Sequence, residues 1–356
     1  MDSGAEIAVY GNKNLPEGTA DRPLVTFAVF AYNQEKYIRE AVEGAFAQTY
    51  SPLEIILSDD CSSDRTFEII AEMAKAYRGP HKVVINRNVV NLGVLGHVRR
   101  TTELARGRFV VMAAGDDISY PERSRTLVEA WKSGANAICS SCELIDGSGK
   151  VVQRYWEPKD DSHSRLHWVK EISSSVFVYG ASSAYDRSIL EKLPASELPV
   201  MSEDAPLNFI AQLEDCKIMR IAKPLVKYRI HAESISKSSV VKPAWSAVEV
   251  AEKARPNEIK RLINILSYMK EIVAQNQKYA DRIDVAQLDE RLAFSHLQLD
   301  WYKASDISYR LRVLREAPSQ YKHWFLCRTF GPRFYIFLKL ISLKVKRALR
   351  PEQAKG

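Results

Sequence analysis

The sequence predicts an α/β fold, a mostly parallel sheet with helices on both faces, followed by a C-terminal helical region. Three observations predict it. Between residues 24 and 132, short apolar runs alternate with amphipathic segments of helix length, the rhythm that builds parallel sheets. These runs are apolar on both faces, as strands covered by two helical layers must be. After Pro243 the strand signals stop and polar helical periodicity takes over.

Residues 1–22 are polar and carry Gly4, Asn12 and Asn14, so an N-terminal arm is expected. Residues 24–31 read as the first strand. Residues 37–48 follow as a helix, with Ile38, Val42, Ala45 and Phe46 on one side. The next strand, 53–58, runs straight into Asp59-Asp60. A helix over 64–77, a strand over 82–86 and a helix over 94–106, stopped by Gly107, come next. The strand over 109–113 leads to a second acidic pair, Asp116-Asp117. Pro121 then suits the first turn of a helix, with Ser119 as its expected cap. Beyond Ala135 the strands shorten (137–144, 151–155, 175–185, 225–230), with a turn at Asp146-Gly-Ser-Gly149. Helices fill 249–315. The expected division is an arm (1–22), an α/β domain (23–240), a helical region (241–320) and a basic tail (321–356).

With 356 residues, 46% apolar and 27% charged, the chain has globular composition and is long enough for about two domains. Five cysteines scattered over this length exclude a secreted disulfide framework. The first residues carry acids where a signal peptide carries bases, and no run of 18 apolar residues occurs, so a cytoplasmic location is expected. The net charge is +7, yet residues 317–351 hold eight bases and no acid, leaving the remainder at −1. A nucleic-acid footprint across the body is therefore excluded.

In open parallel sheets, ligands bind at the carboxyl ends of the strands. Tyr32-Asn33, Asp59-Asp60 and Asp116-Asp117 all fall there. Asp60 can accept hydrogen bonds from a base or a ribose, while Asp64 and Thr66 are placed to cap the following helix. Asp116-Asp117, beside Gly115, suits a hard cation, which takes one or two carboxylates and completes its shell with phosphate; a capped loop is the plainer alternative. Asp160-Asp161 lies in a polar loop and reads as solvated surface. Glu203-Asp204 precedes a helix that has Pro206 in its first turn, so the pair either caps that helix or supplies a general base. An imidazole can meet a phosphate or a metal, but a lone histidine such as His231 reads first as a hydrogen-bonded loop residue, and Arg229 beside it is equally open to the role of a surface salt-bridge partner. Cys139 and Cys142 sit in a strand pattern and are too few for a zinc site.

An ordered series of motifs now carries a resemblance. Tyr32-Asn33, Ala47-Gln-Thr-Tyr50, Glu54-Ile-Ile-Leu-Ser-Asp-Asp-Cys-Ser-Ser-Asp-Arg-Thr66, Asn91-Leu-Gly93, Ala105-Arg-Gly-Arg-Phe109 and Gly115-Asp-Asp117 come first. Tyr179-Gly-Ala-Ser-Ser-Ala-Tyr185, Ser202-Glu-Asp204 and Tyr228-Arg-Ile-His231-Ala-Glu-Ser-Ile-Ser236 continue it. Over about residues 23–238 the chain resembles a family 2 inverting glycosyltransferase of the GT-A fold. The resemblance implies a nucleotide-sugar donor, UDP-type by expectation, and Mn2+ or Mg2+ as cofactor. By position it places Ala31, Tyr32, Asp60, Asp116 and His231 at the donor, with Tyr32 stacked on the base and Asp60 on its edge. It places Asp117 on the metal and Asp204 as general base, with Glu203 in reserve. Two departures stand out: Ala113-Ala-Gly115 where many relatives have a third acid, and Val98-Arg99 where relatives often have Arg-Asn.

From Trp324 to Leu349 aromatics and bases intermingle around a break at Gly331-Pro332. That composition suits a helix in an anionic membrane interface, with a helix docked on the preceding region as the alternative. The expected acceptor is thus a glycan, lipid-linked for preference, and the expected location the inner face of the cell membrane. A nucleotidyltransferase needs a glycine-rich phosphate loop after the first strand, where this chain has Phe30-Ala-Tyr-Asn-Gln-Glu35. A non-catalytic binding scaffold has no need of Asp117 or Asp204.

Overall fold

Four parallel strands form the centre of the sheet: β2 (Val25–Ala31), β3 (Leu53–Asp59), β4 (Lys82–Arg87) and β5 (Phe109–Ala114). Helices α1 (Ile38–Phe46), α2 (Thr66–Ala76) and α3 (Gly93–Leu104) link them. Every residue of β3 is buried, which explains why its sequence shows no alternation. The computed structural model describes residues 6–156, 177–231, 245–304 and 306–317, with 319, 321, 322 and 325.

Beyond β5 the sheet turns mixed. It continues through β9 (Ser183–Asp186), antiparallel to both neighbours, then β7 (Ala137–Asp146), β10 (Ile218–Ile230) and β6 (Ile118–Ser119). β8 (Val151–Trp156) pairs with β7 outside this path. Helices α4 (Arg123–Lys132), α5 (Arg187–Leu190) and α6 (Asp204–Leu213) complete this half. Phe27, Val29, Ile55, Leu57, Ile85, Phe109 and Val111 form the core between sheet and helices.

The structure departs from the sequence expectations at several places. Part of the expected arm is β1 (Glu6–Gly11), antiparallel to β4, with Ile7 opposite Asn86. Pairing there covers backbone groups that β4 would otherwise expose at an open edge. Ser119 is no cap: it lies in β6, its hydroxyl accepts from Arg123 at 2.9 Å, and α4 starts without a side-chain cap. The expected strand 225–230 is the end of a thirteen-residue strand whose register shifts on both sides of Pro224. A proline removes a ladder donor, so the pattern breaks where the strand itself continues through a bulge. Of the strand expected over 175–185, the described part is a 3₁₀ turn (Gly180–Ser182) leading into β9. Cys139 and Cys142 are buried in β7, as strand packing requires. Asp160-Asp161 lies outside the described residues.

The chain divides into two units, residues 1–237 with 268–285 and residues 238–267 with 286–356. In the first, Arg282 pairs with Asp215, and the Tyr268 hydroxyl donates to the Pro194 carbonyl at 2.8 Å. The second draws on α7 (Trp245–Ala274), α9 (Val285–Lys303) and α10 (Ile307–Glu316), while α8 (Gln277–Arg282) belongs to the first. There Ile259 and Ile263 pack on Leu299, and Phe294, Trp301, Val313, Ala317 and Phe325 form a second cluster. Tyr321 stacks on Phe294 with ring centroids 3.7 Å apart. The start of the expected tail is therefore packed in this unit, and most of the remainder lies outside the described residues.

Candidate functional site

At the end of β2, Ala31 is buried, Tyr32 is 48% exposed and Asn33 adopts a left-handed backbone (φ 52°). Asparagine tolerates that region better than most residues, and its side chain is used here. The Asn33 carbonyl oxygen accepts from the Ser63 amide at 2.9 Å, while the Asn33 amide donates to the Ser62 hydroxyl at 2.9 Å. The Gln34 amide donates to Thr66 Oγ1 at 2.7 Å and the Glu35 amide to Asp64 at 3.0 Å. Asp64 also accepts from the Thr66 amide at 3.0 Å, so it braces both the start of α2 and the β2–α1 loop. Four bonds thus join two consecutive strand-end loops and hold Tyr32 between them.

The acids of the Asp59-Asp60 pair behave differently. Asp59 is fully buried, accepts from the Ser62 amide and hydroxyl, and lies 3.8 Å from Arg87. Burial, more than these partners, sets its carboxyl, which is raised above the usual aspartate value. Asp60 accepts from Asn88 Nδ2 at 2.8 Å and from the amides of Leu92 and Gly93 at 2.9 and 3.0 Å. It therefore fixes the loop before α3. Beneath it, Ser58, Asn86 and His97 form a buried chain, with His97 Nε2 2.7 Å from the Ser58 hydroxyl. Burial lowers His97 to about 4, so its ring is neutral at physiological pH.

The second pair follows β5. Gly115 sits close to its neighbours there: a β-carbon on it would stand 2.3 Å from Gln34 Oε1 and 3.1 Å from the Ala31 side chain. Asp117 is 3% exposed. Its Oδ1 accepts from the Arg229 amide at 2.8 Å, whereas its buried Oδ2 has no hydrogen-bond partner. Burial, and then the neighbouring charge of Asp116, hold this carboxyl well above the aspartate range; the Arg229 amide, Arg123 and Arg229 pull the other way. Asp116 Oδ2 lies 3.0 Å from His231 Nε2. Among the described residues no three His, Cys, Asp or Glu side chains gather into a metal cage. The donor set nonetheless fits a cation completed by ligand oxygens, because a partnerless carboxylate oxygen is present beside a second acid.

Glu203 and Asp204 open α6. Asp204 Oδ1 accepts from the Ala205 amide at 2.8 Å and from the Ser202 hydroxyl. Glu203 packs against Gly180, where a β-carbon would meet its Oε1 at 2.2 Å. Burial, then the charge of Asp204, push Glu203 up to about 7. Asn208, one turn into α6, exchanges bonds with both backbone groups of Val178 at 2.8 Å. The helix start is thereby fixed to the segment carrying Gly180. The buried Arg123 guanidinium ties this region to β5, donating to the carbonyls of Met112 (2.6 Å) and Ala181 (3.4 Å).

The structure thus joins Ala31, Tyr32 and Asp60 across neighbouring loops, and it joins Asp116 directly to His231. A shared buried arginine, Arg123, connects the supports of the Asp116-Asp117 pair and of Glu203-Asp204. Arg229, expected at the surface, is 1% exposed on its side chain and belongs to the acidic pair. Asn88, His97, Asn208 and Arg123 were not legible as site residues. Only Asn91-Leu-Gly93 signalled the loop that Asp60 holds.

Residues 26–194 match the sequence family described as Glycosyl transferase family 2. An uncharacterized glycosyltransferase of Haemophilus influenzae is 34% identical over 229 residues, 60% of this chain and 68% of that protein. The succinoglycan biosynthesis protein ExoO of Rhizobium meliloti is 30% identical over 136 residues, 38% of each chain. Matched segments span from 25% to 73% of the relatives' own lengths. Among solved structures, S. aureus TarS 1-349 in complex with UDP-GlcNAc shares the fold with a TM-score of 0.50, at 15% identity, over 84% of this chain and 77% of that one.

Proposed function

This chain belongs to glycosyl transferase family 2 and has the GT-A fold, and from that premise we propose that it is a metal-dependent inverting glycosyltransferase. It moves a sugar from a nucleoside-diphosphate donor to a glycan hydroxyl. The observation that carries the reading is the buried Asp117 carboxylate, held at one oxygen and partnerless at the other.

The exposed Tyr32 ring offers a stacking face to the donor base, and Asp60, fixed by three donors, offers remaining lone pairs to its edge. Asp117, with Asp116 and His231 beside it, stands at the diphosphate end. Asp117 Oδ2 would hold Mn2+ or Mg2+, which when bound supplies charge neutralisation for the departing diphosphate. Asp204 takes the proton of the attacking hydroxyl. The acceptor oxygen bonds to the anomeric carbon from the face opposite the leaving group, the bond to the diphosphate oxygen breaks, and the configuration inverts. Glu203, raised to about 7, stays in reserve as the alternative base.

The UDP-GlcNAc bound by the TarS structure supports a nucleotide-sugar donor of the UDP type. The ExoO relative and the basic tail support a polysaccharide acceptor, lipid-linked at the inner membrane face, with the enzyme peripheral there. Among the described residues no helix is long and apolar enough to cross a membrane.

A thermal-shift panel of nucleoside diphosphates and their sugars, with Mn2+ and with EDTA, tests the reading. A selective, metal-dependent rise in midpoint is expected, because a ligand bound only to the native state stabilises it by mass action. NMR of the product's anomeric signal reads the inversion. No shift with any donor, or full transfer in excess EDTA, overturns the proposal.

A further inference from the structure

We infer that Arg229 is a positioning residue that fixes the acidic pair before any ligand arrives, acting through Glu40 on α1 and Tyr37 just before it. The inference rests on the metal-dependent reading above and extends it to residues that touch neither donor nor acceptor.

Arg229 reaches the acidic pair in two ways. Its backbone amide holds Asp117 Oδ1 at 2.8 Å, which leaves Oδ2 as the oxygen available to a cation. Its Nε donates to the Asp116 backbone carbonyl at 2.8 Å, so the side chain fixes the backbone of the neighbouring acid. The far end of the guanidinium is anchored in turn. One terminal nitrogen donates to Glu40 Oε2 at 3.0 Å, and the other lies 3.4 Å from the carbonyls of Asp146 and Gly147. The plane sits 4.8 Å from the centre of the Tyr37 ring, and that ring also packs on His231 at 4.8 Å.

One planar cation therefore ties together α1, the β7–β8 turn, the end of β10 and the loop after β5. The arrangement needs the geometry of a guanidinium. Its donors lie in a rigid fork that meets a carbonyl on one side and a carboxylate on the other, while an ammonium is a point charge on a flexible stem. The turn lies close to both partners of the clamp, since a β-carbon on Gly147 would meet the Tyr37 hydroxyl at 3.5 Å and the His231 side chain at 3.8 Å, ordinary contact distances. Asp146-Gly-Ser-Gly149, read from sequence as an ordinary turn, is thus part of the clamp.

The test measures Mn2+ affinity by electron paramagnetic resonance in the presence of UDP or GDP, on full-length protein. Binding of the matching nucleoside monophosphate in EDTA serves as the control for the Tyr32–Asp60 end. Groups that orient a ligating carboxylate carry about 10–100-fold in metal affinity, so Arg229→Lys and Arg229→Met are both expected to weaken Mn2+ by that range. Nucleoside monophosphate affinity should stay within about twofold, because Arg229 does not touch that end. Glu40 is 45% exposed, and its substitution should leave the fold intact. Glu40→Gln should weaken Mn2+ by about two- to fivefold, the range of a half-exposed ion pair.

Wild-type Mn2+ affinity in Arg229→Lys would show that charge alone suffices and would overturn the positioning role. Equal loss of metal and monophosphate binding would overturn it too, by showing general damage. Should Arg229 variants fail to fold, Glu40→Gln decides: unchanged Mn2+ affinity refutes the inference. A wild-type protein that takes up no Mn2+ with either nucleotide overturns the functional reading itself, an outcome distinct from all of these.

Discussion

Glu203→Gln separates the two acids that open α6, because it is expected to raise stability while Asp204→Asn removes activity. The Glu203 carboxyl lies against Gly180 and beside Asp204, and burial lifts it from the usual 4.5 to about 7. Below pH 4.5 the group is protonated in both folded and unfolded chains and contributes nothing. Between 4.5 and about 7 the unfolded chain ionises while the folded one stays protonated, so stability falls as pH rises. Above about 7 the full cost is in place. The difference between the two values corresponds to about 3 kcal/mol as an upper bound.

Glutamine keeps the shape and removes the charge. Glu203→Gln should therefore match wild type near pH 4.5 and melt higher near pH 8. At about 2–4 °C per kcal/mol for a domain of this size, the gain is up to ~6–12 °C. Differential scanning calorimetry at both pH values, in EDTA, reads it. Transfer assays on the same proteins should show Glu203→Gln within about tenfold of wild type. Asp204→Asn should lose about 10²–10⁴ in turnover with donor affinity retained. A lower midpoint for Glu203→Gln at pH 8 would refute the buried-charge argument. Loss of turnover in Glu203→Gln with survival in Asp204→Asn would exchange the roles.

Three further expectations follow from the site and the tail. Asp117→Asn keeps an acceptor for the Arg229 amide at 2.8 Å but loses the charge, so Mn2+-dependent thermal stabilisation should vanish while the metal-free midpoint holds or rises; a lower metal-free midpoint would make the carboxylate structural. Asp60→Ala removes the acceptor of two backbone amides and Asn88, and should weaken nucleoside binding at least tenfold with a local rise in hydrogen exchange at Leu92 and Gly93; unchanged exchange would refute the loop-holding role. Truncation after Cys327 spares the packed Tyr321 and Phe325 but removes eight bases, so it should abolish salt-sensitive co-sedimentation with anionic vesicles while transfer to a soluble acceptor persists; equal pelleting of both proteins would refute membrane attachment through the tail.

What was legible in the sequence depended on how far apart the interacting residues lie along the chain. The parallel strands read directly because burial on both faces favours unbroken apolar runs, as in β5. Asp60, Asp117 and Asp204 were legible as acids at the ends of recognisable elements, though position alone could not separate binding from capping. Asp64 shows how local the separation is: the Thr66 bond two residues away was foreseeable, whereas its bond to Glu35 crosses 29 positions. β1 was missed because a strand added to an existing edge needs no apolar face of its own, and its residues remain partly exposed.

Arg229 marks the limit of a local reading. In the sequence it is one base among polar neighbours at a strand end, which describes a surface residue. It is buried because five acceptors from three other segments converge on it, at Glu40, Asp116, Asp117, Asp146 and Gly147, and the most distant lies 189 positions away. No periodicity records such a meeting. The same holds for Arg123, whose guanidinium sits 58 positions from Ala181 and joins the strand before Asp116 to the turn against Glu203. A GT-A sheet presents its acids on separate loops at the ends of separate strands, and loops do not hold positions without partners. In this chain two buried arginines supply some of those partners, Arg229 at the loop of Asp116 and Asp117 and Arg123 at the carbonyls of Met112 and Ala181, while Asp60 and Asp204 are held by amides and a hydroxyl. The sequence could thus indicate which groups carry the chemistry, while the groups that aim them become visible only when the strands are brought side by side.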